Sequence, residues 1–167
     1  MKFSKLNLEL LFFVTSVFAN SPIGFGNKAT GGEGGVEYHV NTFKELINAL
    51  DNNGNPTAPK IIYIDSPMNG LIDENGKEIT AEDLVPGYSF QKYLECFSND
   101  GLQWFDTDEC NKIENLRKQG TPIQEKYTKA IIPSNTSIIG SGDNTQLEEV
   151  SLNINNADNV VIKNLSI

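Results

Sequence analysis

The chain has few of the residues that build most metal, nucleotide and nucleic-acid sites. Among its 167 residues are one histidine (His39), one arginine (Arg117), one tryptophan (Trp104) and two cysteines (Cys96 and Cys110). One histidine and two cysteines fit no zinc-binding spacing. Basic residues number 13 against 22 acidic ones, a net charge of −9. A nucleic-acid backbone calls for a basic face, so that class of partner is excluded. An acidic substrate is not, because a bound cation can bridge two anionic surfaces. Past the N-terminus no apolar run is long enough to cross a bilayer. Gly24, Gly26, Gly31, Gly32, Gly34 and Gly35 are crowded together, but no apolar strand leads into them and no Walker lysine follows. They read as a conformationally special loop, not a phosphate cradle.

Residues 1–19 have the order of a secretory signal peptide: Lys2 and Lys5, then an apolar segment around Leu10 to Phe18, then Val17-x-Ala19 before the cut. Glu9 sits at the edge of that segment. The reading predicts a secreted, extracellular chain beginning at Asn20, with 20–167 as its domain and no membrane attachment after cleavage. Removal of Lys2, Lys5 and Glu9 leaves 11 basic and 21 acidic side chains, 11 − 21 = −10. In an oxidising compartment Cys96 and Cys110, 110 − 96 = 14 apart, are expected to pair. Asn135-Thr-Ser and Asn164-Leu-Ser are glycosylation sequons for a chain that enters that compartment.

What is abundant is a pattern. Asn135-Thr-Ser-Ile-Ile-Gly-Ser-Gly142 and Asn159-Val-Val-Ile-Lys-Asn-Leu-Ser-Ile167 are short apolar runs between small or polar corner residues. Val150 to Ile154 lies between them as a third short strand. Ile138 and Val161 are 161 − 138 = 23 residues apart. Short β-branched strands returning at such a period predict stacked coils of a solenoid. Two coils are recognisable on this pattern, and their open end would expose Leu152, Ile154, Val161, Ile162, Leu165 and Ile167.

Upstream, Val36 to Val40 alternates as a strand with Val36, Tyr38 and Val40 inward and His39 outward. No carboxylate or cysteine motif accompanies His39, which reads as structural or solvent-facing. Thr42 to Leu50 predicts a helix, with Phe43, Leu46, Ile47 and Leu50 on one face and a capping box from Thr42 and Glu45. Such a helix suits the open end of a first coil. Lys60 to Ile64 is a strand, ended by Asp65-Ser66-Pro67. Asp73-Glu74-Asn75-Gly76 is a turn whose carboxylates, with Asp65, read as solvated. Residues 81–129 leave the strand pattern. Tyr88–Phe97 and Trp104–Lys118 are amphipathic, and Cys110, Ile113 and Leu116 form a stripe that Gln119-Gly120 should end. This is a helical excursion pinned by the cysteines. Asp106, Asp108 and Glu109 suit a first helical turn.

Ala29-Thr-Gly-Gly-Glu-Gly-Gly35, Asn135 to Gly142 and Asn159 to Ile167 together resemble, in order and spacing, three motifs of the pectate lyase family: A-T-G-G-x-G-G, N-T-S-I-I-G-x-G and N-V-I-I-R-N-L-x-I. Lys163 stands where Arg is usual. The resemblance runs from about Gly24 to Ile167 and looks like the N-terminal portion of such a protein. It implies a right-handed parallel β-helix with a capping N-terminal helix, monomeric at full length. It also implies calcium-dependent eliminative cleavage of polygalacturonate, or plant cell-wall pectin. In that chemistry calcium on the carboxylate acidifies the neighbouring proton and an arginine accepts it. The family's calcium ligands and its W-x-D-H and R-x-P-x-x-R motifs match nothing in this chain, so the resemblance assigns no catalytic or calcium residue here. It implies that this stretch is inactive alone. Two other readings stay open. One is a non-catalytic carbohydrate-binding or surface β-solenoid, which should expose aromatics on one sheet, whereas Tyr88, Phe90, Tyr93, Trp104 and Phe105 cluster in the excursion. The other is a polygalacturonase or another β-helix pectinase, which should show clustered Asp residues in its coils.

Overall fold

The computed structural model describes residues 26–73, 75–97, 107–143 and 145–167. The expectations placed on residues 1–25, Glu74, Trp104, Phe105 and Asp106 lie outside the described residues. The element order is β1 (Val36–Val40), α1 (Phe43–Asp51), β2 (Lys60–Ile64), β3 (Met68–Asn69), α2 (Ala81–Leu84), α3 (Phe90–Glu95), α4 (Asp108–Thr128), β4 (Lys129–Ile131), β5 (Thr136–Gly140), β6 (Leu147–Glu148), β7 (Ser151–Asn153) and β8 (Val160–Lys163). All named strand pairs are parallel, in three sheets ordered β1-β2-β5-β8, β3-β6 and β4-β7. The chain visits the three sheets in turn and returns to the first, which is the path of a parallel β-helix.

The register fixes the coil length. Tyr38 pairs with Ile62, and Ile138 with Ile162. Both steps are 24 residues (62 − 38 and 162 − 138). The expected period of 23 matched Ile138 with Val161, and the structure corrects it. Side chains alternate across a strand, so inward Ile138 must stack on inward Ile162, and Val161 faces out. The first sheet holds four strands, hence four coil turns where two were recognisable. The repeat is masked because β2 to β5 takes 138 − 62 = 76 residues, one coil plus 52. Those extra residues leave between β3 and β4, where the chain passes from the second sheet to the third.

The inward positions make the core: Val40, Ile62, Ile64, Met68, Ala130, Ile132, Ile138, Leu147 and Val150 are all buried. Each of these Val, Leu, Ile and Met side chains contributes about 1.5–3 kcal/mol of transfer free energy. In the first coil α1 takes the place of second- and third-sheet strands. Thr42 and Glu45 form the expected capping box, and Asn52 closes the helix in the left-handed region, φ 50°. Leu46, Ala49 and Leu50 join the core, with Phe43 packed against it. Ile47 is on the margin and 36% exposed, because Ala49 fills the place the periodicity assigned to it. At the start of β1, Val36 is 53% exposed, against expectation, whereas Val40 is buried.

The excursion has its own small core of Val85, Tyr88 and Ile113, with Leu84, Tyr93 and Leu116 against it. Cys96 and Cys110 are bonded, S–S 2.09 Å, and join the end of α3 to the first turn of α4. α4 does not stop at Gln119-Gly120 but continues through Pro122 to Thr128. Gly120 is buried against α2's end: a Cβ there would meet Val85 Cγ2 at 2.6 Å. The glycine serves helix–helix approach, not termination.

Candidate functional site

The surface that brings the sequence motifs together is the outer face of the four-stranded sheet. Two rows of side chains point outward in register, Glu37–Ile61–Ser137–Val161 and His39–Tyr63–Ile139–Lys163. The glycine loop covers the first row at β5 and β8. Gly32 N–H donates to Ser137 Oγ at 2.9 Å, so Ser137, although outward, is only 5% exposed. Gly31 has φ 58°, and a Cβ on Gly32 would lie 1.7 Å from the Lys60 carbonyl oxygen. Only glycine allows the backbone this close, which accounts for Thr30-Gly-Gly-Glu-Gly-Gly.

Asn159 anchors that loop. Its Oδ1 accepts from the backbone N–H of Thr30 (2.8 Å) and of Gly31 (2.9 Å). Its Nδ2 donates to the Gly31 carbonyl (3.0 Å) and to Asn135 Oδ1 (2.9 Å). Asn135 Nδ2 in turn donates to the Thr57 carbonyl at 3.0 Å. Asn135 and Asn159 occupy equivalent corners, 159 − 135 = 24 residues apart, both left-handed at φ 56° and 54°. Asparagine tolerates that region and its side chain bridges successive coils. Asn164 (φ 57°) does the same at the other end of β8, donating Nδ2 to the Gly140 and Gly142 carbonyls at 2.7 and 3.0 Å. The Nδ2 atoms of both sequon asparagines, where a glycan would attach, are therefore occupied in inter-coil bonds.

The second outward row stays open. The His39 ring stacks on Tyr63, centroids 4.9 Å apart and planes at 19°. The sequence offered His39 no carboxylate, but the fold supplies one. His39 Nδ1 lies 2.8 Å from Asp65 Oδ2, and Ser141 Oγ donates to Asp65 Oδ1 at 2.6 Å. These bonds tie three coils along the ends of β1, β2 and β5. They hold the Asp65 carboxyl below the usual carboxylate range, chiefly through the Ser141 hydroxyl and then through His39. Lys163 is exposed, and no ion pair holds it among the described residues.

Other expected features lie elsewhere. Asp73 accepts from the backbone N–H of Asn75 and Lys77 (2.8 and 2.9 Å), which makes it a turn residue with a lowered pKa. Asp108 and Glu109 sit in the first turn of α4, capped by Thr107. Arg117, the sole arginine, is locked to buried Glu114 by Nε–Oε2 at 2.6 Å and Nη2–Oε1 at 2.8 Å. That pairing raises the guanidinium pKa further, so Arg117 is set up to stay charged, the reverse of a proton acceptor. A cavity of about 280 Å³ lies beside it in the excursion, with Leu84, Tyr88 and Phe90 on one side and Thr121 and Gln124 on the other. Among the described residues no three His, Cys, Asp or Glu side chains gather as a cation site.

Besides Glu114, another charged side chain is buried. Lys60 opens β2 from inside the coil at 0% exposure, and Nζ donates to the Pro56 and Ala58 carbonyls at 2.5 and 3.3 Å. Burial lowers its pKa. Its four methylenes extend the core stack, and the ammonium staples the 52–59 turn, which Asn52 also bonds through its Nδ2 to the Asn55 carbonyl.

Comparison with known proteins gives a consistent outcome. No family model matches the chain. It is 32% identical over 149 residues to a pectate lyase of Bacillus subtilis (strain 168), covering 85% of this chain and 34% of that protein. It superposes on the solved structure of a thermostable pectate lyase with a TM-score of 0.69 at 27% identity, covering 84% of this chain and 35% of the other. A pectate lyase bound to a hexasaccharide gives 0.59 at 29%, covering 85% and 36%. The chain thus spans 34% of the length of the curated relative it matches.

Proposed function

The chain belongs to the pectate lyase family in sequence and parallel β-helix fold, and on that premise we propose that it is directed at polygalacturonate, the acidic polymer of pectin. The observation that carries the reading is the joining of three motifs into one unit. The glycine loop, the Asn135 corner and the Asn159 corner meet through Asn159 Oδ1 and Nδ2.

In this proposal the family reaction is β-elimination. Calcium, when bound, would supply charge to the uronate carboxylate and make the adjacent proton easier to remove. The described residues do not fit such a centre: Asp65 is committed to Ser141 and His39, Asp73 to a turn, and no third donor stands near either. Arg117 is also unsuited to accept a proton, being held charged by Glu114. We therefore infer that this chain recognises polygalacturonate and that its described residues do not by themselves form a cleavage centre. The sequence order of residues 1–19 further supports a secreted location, with Asn20 as the mature N-terminus.

The test uses purified protein comprising residues 1–167 and its 20–167 form. Retention on immobilised polygalacturonate, compared with a neutral polysaccharide, reads recognition. Unsaturated product is followed by ultraviolet absorbance with polygalacturonate and calcium. Retention without product supports the reading. Calcium-dependent product overturns the inactive half, and equal retention on the neutral polymer overturns the substrate class.

A further inference from the structure

We propose that the cavity in the helical excursion is a binding site for a small, uncharged ligand of one aromatic ring carrying an oxygen acceptor. The site lies outside the coils, so the proposal stands apart from the polygalacturonate reading.

Three helices of the excursion build the cavity. Arg117, Gly120 and Gln124 fall on one face of α4, Leu84 and Val85 lie at the end of α2, and Tyr88 and Phe90 lead into α3. Gly120 lets α4 approach the end of α2, since a Cβ there would meet Val85 Cγ2 at 2.6 Å. The Cys96–Cys110 bond fixes the end of α3 to the first turn of α4. The walls are thus held by packing and a covalent link, which lowers the ordering cost of binding.

Size and lining select the ligand. The volume is about 280 Å³. A dry apolar cavity of about 150 Å³ holds benzene, and pockets for drug-sized molecules begin at roughly 300 Å³. One substituted ring fits this space, and a chain of sugar rings does not. Phe90, 53% exposed, offers a ring face at the mouth, and aromatic pairs gain beyond the area they bury.

The polar groups ask for an acceptor. Tyr88 is only 9% exposed, yet its hydroxyl makes no hydrogen bond among the described residues. No fully enclosed side-chain nitrogen or oxygen there lacks a partner, so this hydroxyl opens onto the space that Tyr88 lines. Burial, and after it the neighbouring Tyr93, raises the phenol pKa, which keeps the group a donor at neutral pH. Arg117 commits Nε and Nη2 to Glu114 and lies over the Tyr93 ring at 5.8 Å. Its Nη1 makes no bond among the described residues and is a second fixed donor beside the cavity. The charges around the site balance. Arg117 and Lys118 face Glu114, and Glu82 Oε1 accepts the Phe90 N–H at 2.7 Å at the rim. An anionic ligand would find no surplus cation there, in a chain of net charge −9.

The experiment titrates protein comprising residues 1–167 with acetophenone and reads Kd from NMR shifts. Ethylbenzene, benzoate and cyclohexyl methyl ketone are the matched probes. Acetophenone is expected to give saturable shifts at the Tyr88 ring and the Arg117 Nε–H, with β2 and β5 unmoved. Tyr88→Phe removes one hydrogen bond and should weaken acetophenone about three- to tenfold, leaving ethylbenzene unchanged. Ala81→Leu fills the cavity from α2 and should abolish binding of both, and Thr121→Leu does the same from α4 should the first variant fail to fold. Urea midpoints of each variant separate binding loss from unfolding. Benzoate and cyclohexyl methyl ketone should each bind several-fold more weakly than acetophenone. Absence of saturable shifts in the folded protein, or binding that the filling variants leave intact, overturns the site. An acetophenone Kd unchanged in Tyr88→Phe overturns the role of the hydroxyl. Benzoate as tight as acetophenone overturns the uncharged class, and the cyclohexyl ketone as tight overturns the aromatic one.

Discussion

Replacing Asn159 tests whether the glycine loop and the coil stack are one unit. Its amide makes four bonds of 2.8–3.0 Å, two accepted from Thr30 and Gly31 and two donated to Gly31 and Asn135. A hydrogen bond is worth about 0.5–1.5 kcal/mol net. Asn159 is half-buried, so water recovers part of the loss, and about 2–3 kcal/mol is the expected cost of removing the amide. The backbone adds a second cost. At φ 54° an alanine meets the left-handed penalty of roughly 1–2 kcal/mol that asparagine partly escapes and glycine lacks. Asn159→Ala should therefore destabilise by about 3–4 kcal/mol, a large share of the roughly 5–15 kcal/mol of an ordinary domain. Asn159→Gly should recover about 1 kcal/mol of it. Urea unfolding of the full chain measures both, with hydrogen exchange at Thr30 to Gly35 reading release of the loop. An Asn159→Ala change below about 0.5 kcal/mol, or Gly no better than Ala, would refute the argument.

Three further outcomes follow from the geometry. Gly32→Ala places a Cβ 1.7 Å from the Lys60 carbonyl oxygen and should cost several-fold more than Gly34→Ala, where φ is 76° but the space is open; urea midpoints compare them. Lys60 has a pKa lowered by burial, so the folded chain holds that proton less tightly than the unfolded one. Its contribution to stability is least favourable below the folded pKa and improves as pH rises from there towards the ordinary lysine range; Lys60→Met should abolish that dependence when unfolding is compared at neutral and alkaline pH. Reduction of Cys96–Cys110, which closes a separation of 14 residues, should cost at most roughly 3 kcal/mol on the loop-entropy model and raise hydrogen exchange in α3 and the start of α4, leaving β2 and β5 protected. Non-reduced mass spectrometry that finds two free thiols in the mature chain removes that prediction's basis.

The scaffold was legible wherever one segment carried its own signal. Thr42 and Glu45 announce α1 through a local capping box, and the apolar runs of β2, β5 and β8 announce themselves by composition. Errors arose where one residue type serves two ends. Gly120 is a helix stop in one context and a close-packing site in another, and only Val85, 120 − 85 = 35 residues away, decides between them. The coil period was misread by one because Val161 and Ile162 are equally apolar. Their facing differs only through pairing with β5.

The outward row His39–Tyr63–Ile139–Lys163 was harder to read for a geometric reason. In a parallel β-helix, residues that touch on the outer face belong to successive coils, so their separation in sequence is the coil length plus any insertion. His39 and Tyr63 stack across one 24-residue coil (63 − 39), but Tyr63 and Ile139 are 76 apart (139 − 63) because the excursion intervenes. No local window contains the row. The corner asparagines escape this difficulty in part. Asn135 and Asn159 recur at the coil length with no insertion between them, each just before a strand, where a left-handed residue must turn the chain. That recurrence holds the information needed to set the register, and with it the facing of every side chain on β5 and β8. From the register follow the partner of His39, the cover over Ser137 and the open position of Lys163. The chemistry of this face is thus written less in its polar residues than in the two asparagines that align the coils beneath it.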